Sequence, residues 1–249
     1  MSLAENAATL DEMPLVGIVG GIGPLASAEF VSGIYRDADA ATEQMMPRLI
    51  LWSDPSFPDR TLNLLAGNGD ELAARLEHAA RALVDLGVSE ILICCFTLHG
   101  VIGQLPKALT DRIVSLLDLT FESLVSVDEP QLLLCTSGSR ELEVFERHEA
   151  WGQSQSRVIR PTRAEQERIH DLIYRLKLGH SRTVIAGEVE DILAAHGVRR
   201  FVSGCTELHL LADAFSGDLG IGVDALEIAR SRILAGRSLR SEPVPLVQQ

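Results

Sequence analysis

The chain lacks three features that would settle its class at once. It has no apolar run of about 20 residues, the length a membrane-spanning helix needs, so no membrane partner is expected. It has no excess of positive charge: 35 acidic against 22 basic residues give a net charge of −13. Nucleic-acid binding needs a basic surface that releases counterions, so no nucleic-acid partner is expected either. A few local cations can still hold a small anion against that global sign. Third, no Cys-x-x-Cys spacing occurs among Cys94, Cys95, Cys135 and Cys205. A structural zinc site is therefore not expected, nor any other metal. Residues 1–13 lack the positive segment followed by an apolar one that marks a secretory signal. They read as a flexible leader, and 238–249 as a flexible tail. A cytosolic location follows, with thiols kept reduced.

What is present is an alternation of apolar runs and helical stretches, the rhythm of an α/β protein; 46% of the 249 residues are hydrophobic, enough for a sizeable core. Strands are expected at residues 15–19, 48–53, 88–94 and 113–119. Gly20-Gly21-Ile22-Gly23-Pro24 closes the first of these and opens a helix with proline in its first turn. A second helix, 70–86, stops at Gly87. The pattern then restarts, with strands at 131–135, 157–160 and 198–203 and helices at 141–148, 165–178 and 188–196.

The restart is an internal duplication. A shift of 110 residues lays Gly87-Val88 on Gly197-Val198, Cys95 on Cys205, Leu98 on Leu208 and His99 on His209. A shift of 117 lays 15–21 over 132–138. Two Cys-x-x-Leu-His segments, each after a helix, a Gly-Val pair and a strand, are not a chance match. The expected fold is α/β, with two pseudo-symmetric domains, each a mostly parallel sheet flanked by helices. The first spans 14–119 plus 224–237, the second 120–223. Ligands of such sheets bind beyond the carboxyl ends of the strands. The duplicated segments lie there, so the active site is expected in the cleft between the domains.

Each of Cys95 and Cys205 follows a strand and precedes a predicted helix, where backbone N–H groups and the helix dipole favour a thiolate. Two thiols on opposite walls suit stereoinversion: one removes a proton from a carbon, the other delivers a proton to its opposite face. Cys94 and Cys135 sit inside apolar runs and read as packing. His99 and His209, about one helical turn beyond the cysteines, read as supporting residues that shape the site.

With GIVGGIGPLASAEF, WSDPSFPDRT, CFTLH and GCTE in that order, the sequence resembles the aspartate/glutamate racemase superfamily, closest to its aspartate racemase branch, over residues 16–230. The resemblance implies an isomerase that needs no cofactor, neither PLP nor metal, with Cys95 and Cys205 as the catalytic pair. It assigns the proton of the L-enantiomer to Cys205 and that of the D-enantiomer to Cys95. It implies substrate contacts from Arg48, Thr97, Ser139, Lys177, Thr206 and Glu207, and from Gly21 and Ile22 in the glycine turn. It implies a small amino-acid substrate and a homodimer. The family motif reads Cys-Asn-Thr-x-His where this chain has Phe96, which opens the question of specificity for aspartate, glutamate or a less polar amino acid.

Three other readings compete. Gly21-x-Gly23-x-x-Ala26 after a strand fits the fingerprint of a nucleotide-dependent oxidoreductase. However, Pro24 removes a phosphate-facing N–H, and no acidic residue closes a second strand about 20 residues on. A same-fold isomerase of the maleate isomerase type, or a decarboxylase relative, keeps the architecture and changes the reaction. A ligand-binding protein has no need of both cysteines.

Overall fold

The computed structural model describes residues 14–215 and 218–240. The first half runs β1 (Leu15–Gly20), α1 (Pro24–Asp37), β2 (Arg48–Ser53), α2 (Arg60–Leu65), α3 (Gly69–Asp85), β3 (Glu90–Ile93), α4 (His99–Ile102), α5 (Lys107–Thr110), β4 (Ile113–Val114) and α6 (Leu116–Leu124). The second runs β5 (Gln131–Cys135), α7 (Ser137–Glu141), α8 (Trp151–Ser154), β6 (Val158–Ile159), α9 (Arg163–Lys177), α10 (Arg182–Ala195), β7 (Arg200–Gly204), a 3-10 helix (Thr206–Leu211), β8 (Gly220–Val223) and α11 (Ala225–Leu234). The strands form two four-stranded sheets, ordered β2-β1-β3-β4 and β6-β5-β7-β8, with every pairing parallel. The duplication seen in the sequence is therefore a duplication of topology, and the fold is the expected two-domain α/β arrangement.

Local chemistry sets the boundaries. Helix α3 ends at Gly87 and α10 at Gly197, with φ of 88° and 65°. Both are left-handed positions that glycine fills without a Cβ clash, and they are repeat-equivalent. Helix α9 opens on a capping box: Thr162 accepts from the Glu165 N–H while Glu165 accepts from the Thr162 N–H. The expected strand at 113–119 is only two residues long, because the Ser115 side chain accepts from the Asp118 N–H and starts α6. The expected helix at 141–148 begins earlier, capped by Thr136, and stops as α7 before Glu143, whose φ of 53° cannot continue a right-handed helix. Helices α2 and α11 and strand β8 were not foreseen.

Side-chain alternation along the strands divides the core. Leu92 of β3, Leu133 and Cys135 of β5, and Val202 of β7 enter one cluster shared by both halves, with Phe30 and Phe145. Their sequence neighbours Ile91 and Ile93 pack with α3 residues such as Leu76 and Leu83. Leu132, Leu134 and Phe201 pack with α9 and α10. Helix α11 returns to the first half, where Arg230 pairs with Asp37 of α1 at 2.7 Å and Arg232 with Glu122 of α6. Of the residues expected to form tails, 1–13 and 241–249 lie outside the described residues. Residues 238–240 are docked instead: Leu239 is buried, its N–H donates to Glu90 and its carbonyl accepts from Arg232. No helix among the described residues is long and apolar enough to cross a membrane.

Candidate active site

The duplicated cysteines follow the carboxyl ends of the third strand of each sheet. Cys95 comes after β3 and Cys205 after β7. Both are buried, at 7% and 6% exposure, without being fully sealed. Strand alternation turns the adjacent Cys94 into the shared core, where burial raises its thiol far above the ordinary range. Burial likewise pushes Cys135 to about 12. These two are packing residues, as expected.

The halves meet through reciprocal contacts at these strand ends. From the first half, the Thr97 hydroxyl lies 3.1 Å from that of Thr136 and 3.0 Å from that of Ser139, at the turn after β5. Thr136 and Ser139 are 3.1 Å apart, so the three hydroxyls form a closed triangle. From the second half, Glu207 Oε1 accepts from the Gly23 N–H at 3.1 Å, at the turn after β1. A Cβ on Gly23 would collide with that oxygen, so the approach requires glycine. Thr206 Oγ1 donates to the Cys94 carbonyl at 3.1 Å. The Cys205 thiol donates to Glu207 Oε2 at 2.8 Å. Thr97, Ser139, Thr206 and Glu207 are thus gathered beside the two cysteines.

The helices that follow the cysteines are short, α4 with four residues and the 3-10 helix with six, so neither builds the dipole expected there. Burial, then the charge of Glu207, push the Cys205 thiol well above its ordinary value. Lys177 opposes that rise, while the hydrogen bond to Glu207 and the charge of Cys95 add to it. Both Lys177 and Cys95 are therefore within electrostatic reach of Cys205. The stem of Lys177 runs past Gly23, and its ammonium sits 4.2 Å above the Tyr174 ring.

Arg48 is not brought to this cluster. It opens β2 and pairs with Leu15, the first residue of β1, whereas the cysteines lie past the opposite end of the sheet, where Gly20 pairs with Ser53. At about 3.3 Å per residue that is a separation of roughly 16 Å along the strand. The arginine found beside the glycine turn is Arg60, which begins α2. It donates to the carbonyls of Ile22 at 3.2 Å and Pro58 at 3.1 Å, and the remaining N–H groups of its fork suit a carboxylate. Its neighbour Asp59 accepts a 2.5 Å bond from the Tyr174 hydroxyl of α9. Arg60 stands in the WSDPSFPDRT segment. Nothing in the local spacing singled it out, because its position depends on α2 reaching across to the other half.

The histidines separate from the chemistry. His99 Nε2 accepts from the Leu116 N–H at 3.0 Å, which leaves Nδ1 to donate to the Cys95 carbonyl at 3.0 Å. Burial lowers its value to about 4. It is a neutral tie that fixes the Cys95 backbone, with no nitrogen left to move a proton. His209 faces the other way, with Nδ1 2.6 Å from Asp224 Oδ2. Burial pulls its value down, but the Asp224 bond and charge outweigh that and raise it. Phe96 is buried in the shared core, its ring 5.3 Å from that of Phe145. It packs in the core cluster that both halves share.

The glycine turn holds protein groups in place of phosphates. The Gly21 N–H donates to Ser27 Oγ, the Gly23 N–H to Glu207, and the Ile22 carbonyl accepts from Arg60. A carboxylate already occupies the place a nucleotide anion would take, against the oxidoreductase reading. The fold is similar to the aspartate racemase of Picrophilus torridus, with a TM-score of 0.76 at 20% identity over 89% of this chain and 93% of that one. It is similar to a putative Asp/Glu racemase from Yersinia pestis, with a TM-score of 0.67 at 24% identity over 90% and 98%. It is also similar to the glutamate racemase of Campylobacter jejuni subsp. jejuni, with a TM-score of 0.59 at 12% identity over 88% and 84%. A family model described as Asp/Glu/Hydantoin racemase matches residues 19–230. With nearly the whole folded chain inside that match, the protein belongs to the Asp/Glu/hydantoin racemase family and is an enzyme of that family.

Proposed function

We propose that the chain inverts the α-carbon of aspartate, glutamate or a related amino acid by proton transfer between Cys95 and Cys205, without a cofactor. The observation that supports this reading is the matched position of the two cysteines, each just past a strand of its own sheet, with the residue two places on, Thr97 or Glu207, bonded to the opposite half. One sulfur, as thiolate, takes the α-proton, so the Cα–H bond breaks and an S–H bond forms. The other thiol gives its proton to the opposite face of the carbanion, so that S–H bond breaks and a Cα–H bond forms. Arg60 supplies a guanidinium fork for a carboxylate and Lys177 a point charge. The hydroxyls of Thr97, Thr136 and Ser139 can turn donors and acceptors toward the substrate's polar groups. Because Phe96 is turned into the core, the missing asparagine does not by itself argue against an acidic substrate.

The test is an NMR screen of amino acids in deuterated water, in which the substrate loses its Cα-proton signal. Cys95→Ala and Cys205→Ala should each abolish racemisation in both directions with the fold intact. Cys94→Ala should retain it. Full activity in either of the first two variants would remove the two-thiol mechanism. Exchange should also persist after dialysis against a chelator with no PLP present; a chelator-sensitive rate restored by metal would contradict the cofactor-free reading. The same reading keeps the homodimer that the family resemblance implies, which sedimentation checks.

A further inference from the structure

The duplication is broken at the two positions that follow each cysteine, Phe96-Thr97 against Thr206-Glu207, and the second of them bears on the sulfurs. Two residues after Cys95 the chain has Thr97, a neutral hydroxyl engaged with Thr136 and Ser139. Two residues after Cys205 it has Glu207, which is 2% exposed. Its Oε1 is held by the Gly23 N–H at 3.1 Å and its Oε2 faces the Cys205 sulfur at 2.8 Å. An ionised carboxylate only accepts, so the sulfur must be the donor in that contact. A thiolate in the same place would face a fixed negative charge at bonding distance, the arrangement that most disfavours ionisation. The Gly23 bond to Oε1 and the Thr206 hydroxyl, 3.4 Å from Oε2, hold the buried carboxylate in this orientation.

We infer that Glu207 is a positioning residue that holds the proton of the resting enzyme on Cys205, leaving Cys95 as the thiol that ionises. This rests on the two-thiol reading above and makes the pair unequal. In the free enzyme Cys95 is the base and Cys205 the acid. When a substrate presents its α-proton to Cys95, that proton passes to the Cys95 sulfur and the Cys205 proton passes to the opposite face of the carbon. The product leaves behind a Cys205 thiolate facing Glu207. The resting form returns when Cys205 takes a proton and Cys95 releases one to solvent. The upward push on Cys205 from burial and from Glu207 agrees with this order.

Enantiomers are equal in energy, so kcat/KM must be the same in both directions at any pH and cannot reveal the bias. The reactivity of each sulfur in the free enzyme can. Native protein is treated with iodoacetamide at pH 7, quenched over time and digested, and each cysteine is followed by fragment mass spectrometry. Cys95 and Cys205 are almost equally exposed, at 7% and 6%, so access does not rank them and ionisation does. Cys95 should be alkylated at least about tenfold faster, the factor for one pKa unit. In Glu207→Gln, the amide oxygen can keep the Gly23 bond while the NH2 group turns a donor toward the sulfur. Cys205 should then speed up until the rates converge, with the Cys95 rate unchanged. Equal or faster alkylation of Cys205 in the wild type, or an unchanged ratio in a folded Glu207→Gln, would overturn the inference. If that variant does not fold, the wild-type ranking decides alone. A chain with the expected ranking that exchanges no α-proton keeps this proton placement and loses the racemase reading. A chain that exchanges α-protons with equal alkylation rates loses only the placement.

Discussion

Phe96 and His99 show how two residues of one motif divide between core and site. Phe96 follows Cys95 but packs on Phe145 in the cluster shared by both halves. Phe96→Asn removes the ring and buries an amide there, a combination that costs about 3 kcal/mol or more. A lowered melting temperature without any gain in kcat/KM for acidic amino acids is the expected result. A gain in acidic activity at unchanged stability would place residue 96 in the pocket. His99 is neutral in the fold, with its value lowered by burial from 6.5 to about 4. Between those values the unfolded chain binds a proton that the native state refuses. The His99 contribution is therefore fully present above pH 6.5 and is lost as the pH falls toward 4. Denaturant unfolding at pH 7.5 and pH 5 should show a smaller acid loss in His99→Asn than in the wild type, and equal losses would mean that His99 does not titrate in this way. His209 has the opposite sign: its value is raised, so its contribution is present at low pH and is lost as the pH rises through the folded value.

At the scale of elements, the cleft is bridged by helix α2. Gly138 of α7 lies so close to it that a Cβ there would stand 2.6 Å from Thr61 Oγ1 and 2.9 Å from Thr61 Cα. The Asp59–Tyr174 bond fixes the N-terminal end of the same helix. Arg60 sits between these two anchors, so its guanidinium is placed by contacts that α2 makes with the other half. Gly138→Ala must push α2 outward, with an overpacking cost of about 1–3 kcal/mol. If Arg60 binds the substrate as proposed, the substitution should raise KM more than it lowers kcat, because the guanidinium moves with α2 while the cysteines, on other elements, do not. Steady-state kinetics beside a thermal melt check this, and an unchanged KM in a destabilised protein would detach Arg60 from substrate binding.

At the scale of the molecule, each sheet has a core of its own on one face, and a third cluster joins the two halves. Val16, Ile18 and Leu92 from one half and Leu133, Phe145 and Val202 from the other belong to one cluster, and α11 carries the end of the second half back onto α1 and α6. Removing either half would expose that shared apolar surface. The chain should therefore unfold in one cooperative step, with equal calorimetric and van't Hoff enthalpies. Two resolved calorimetric transitions would show that the halves are stable on their own.

The architecture was legible in the sequence because it rests on local and repeated signals. Buried strands announce themselves as short apolar runs and helix ends as Gly87 and Gly197, and a shift of 110 residues exposes the duplication and both cysteines. Short elements governed by single caps escaped, as with Ser115 turning the expected strand at 113–119 into a helix start. What only the tertiary structure decided was the direction in which side chains face across the cleft. Arg48 and Arg60 are both arginines near strand β2, but a parallel sheet puts one at its amino end and swings the other, on α2, to its carboxyl end. The polarity of a strand relative to a distant site is not written in local spacing. Nor is the pairing of Glu207 with Gly23, 184 residues away, which holds the carboxylate on Cys205. Sequence periodicity brings forward the two cysteines as equivalents; the contact between the halves gives only one of them a carboxylate partner.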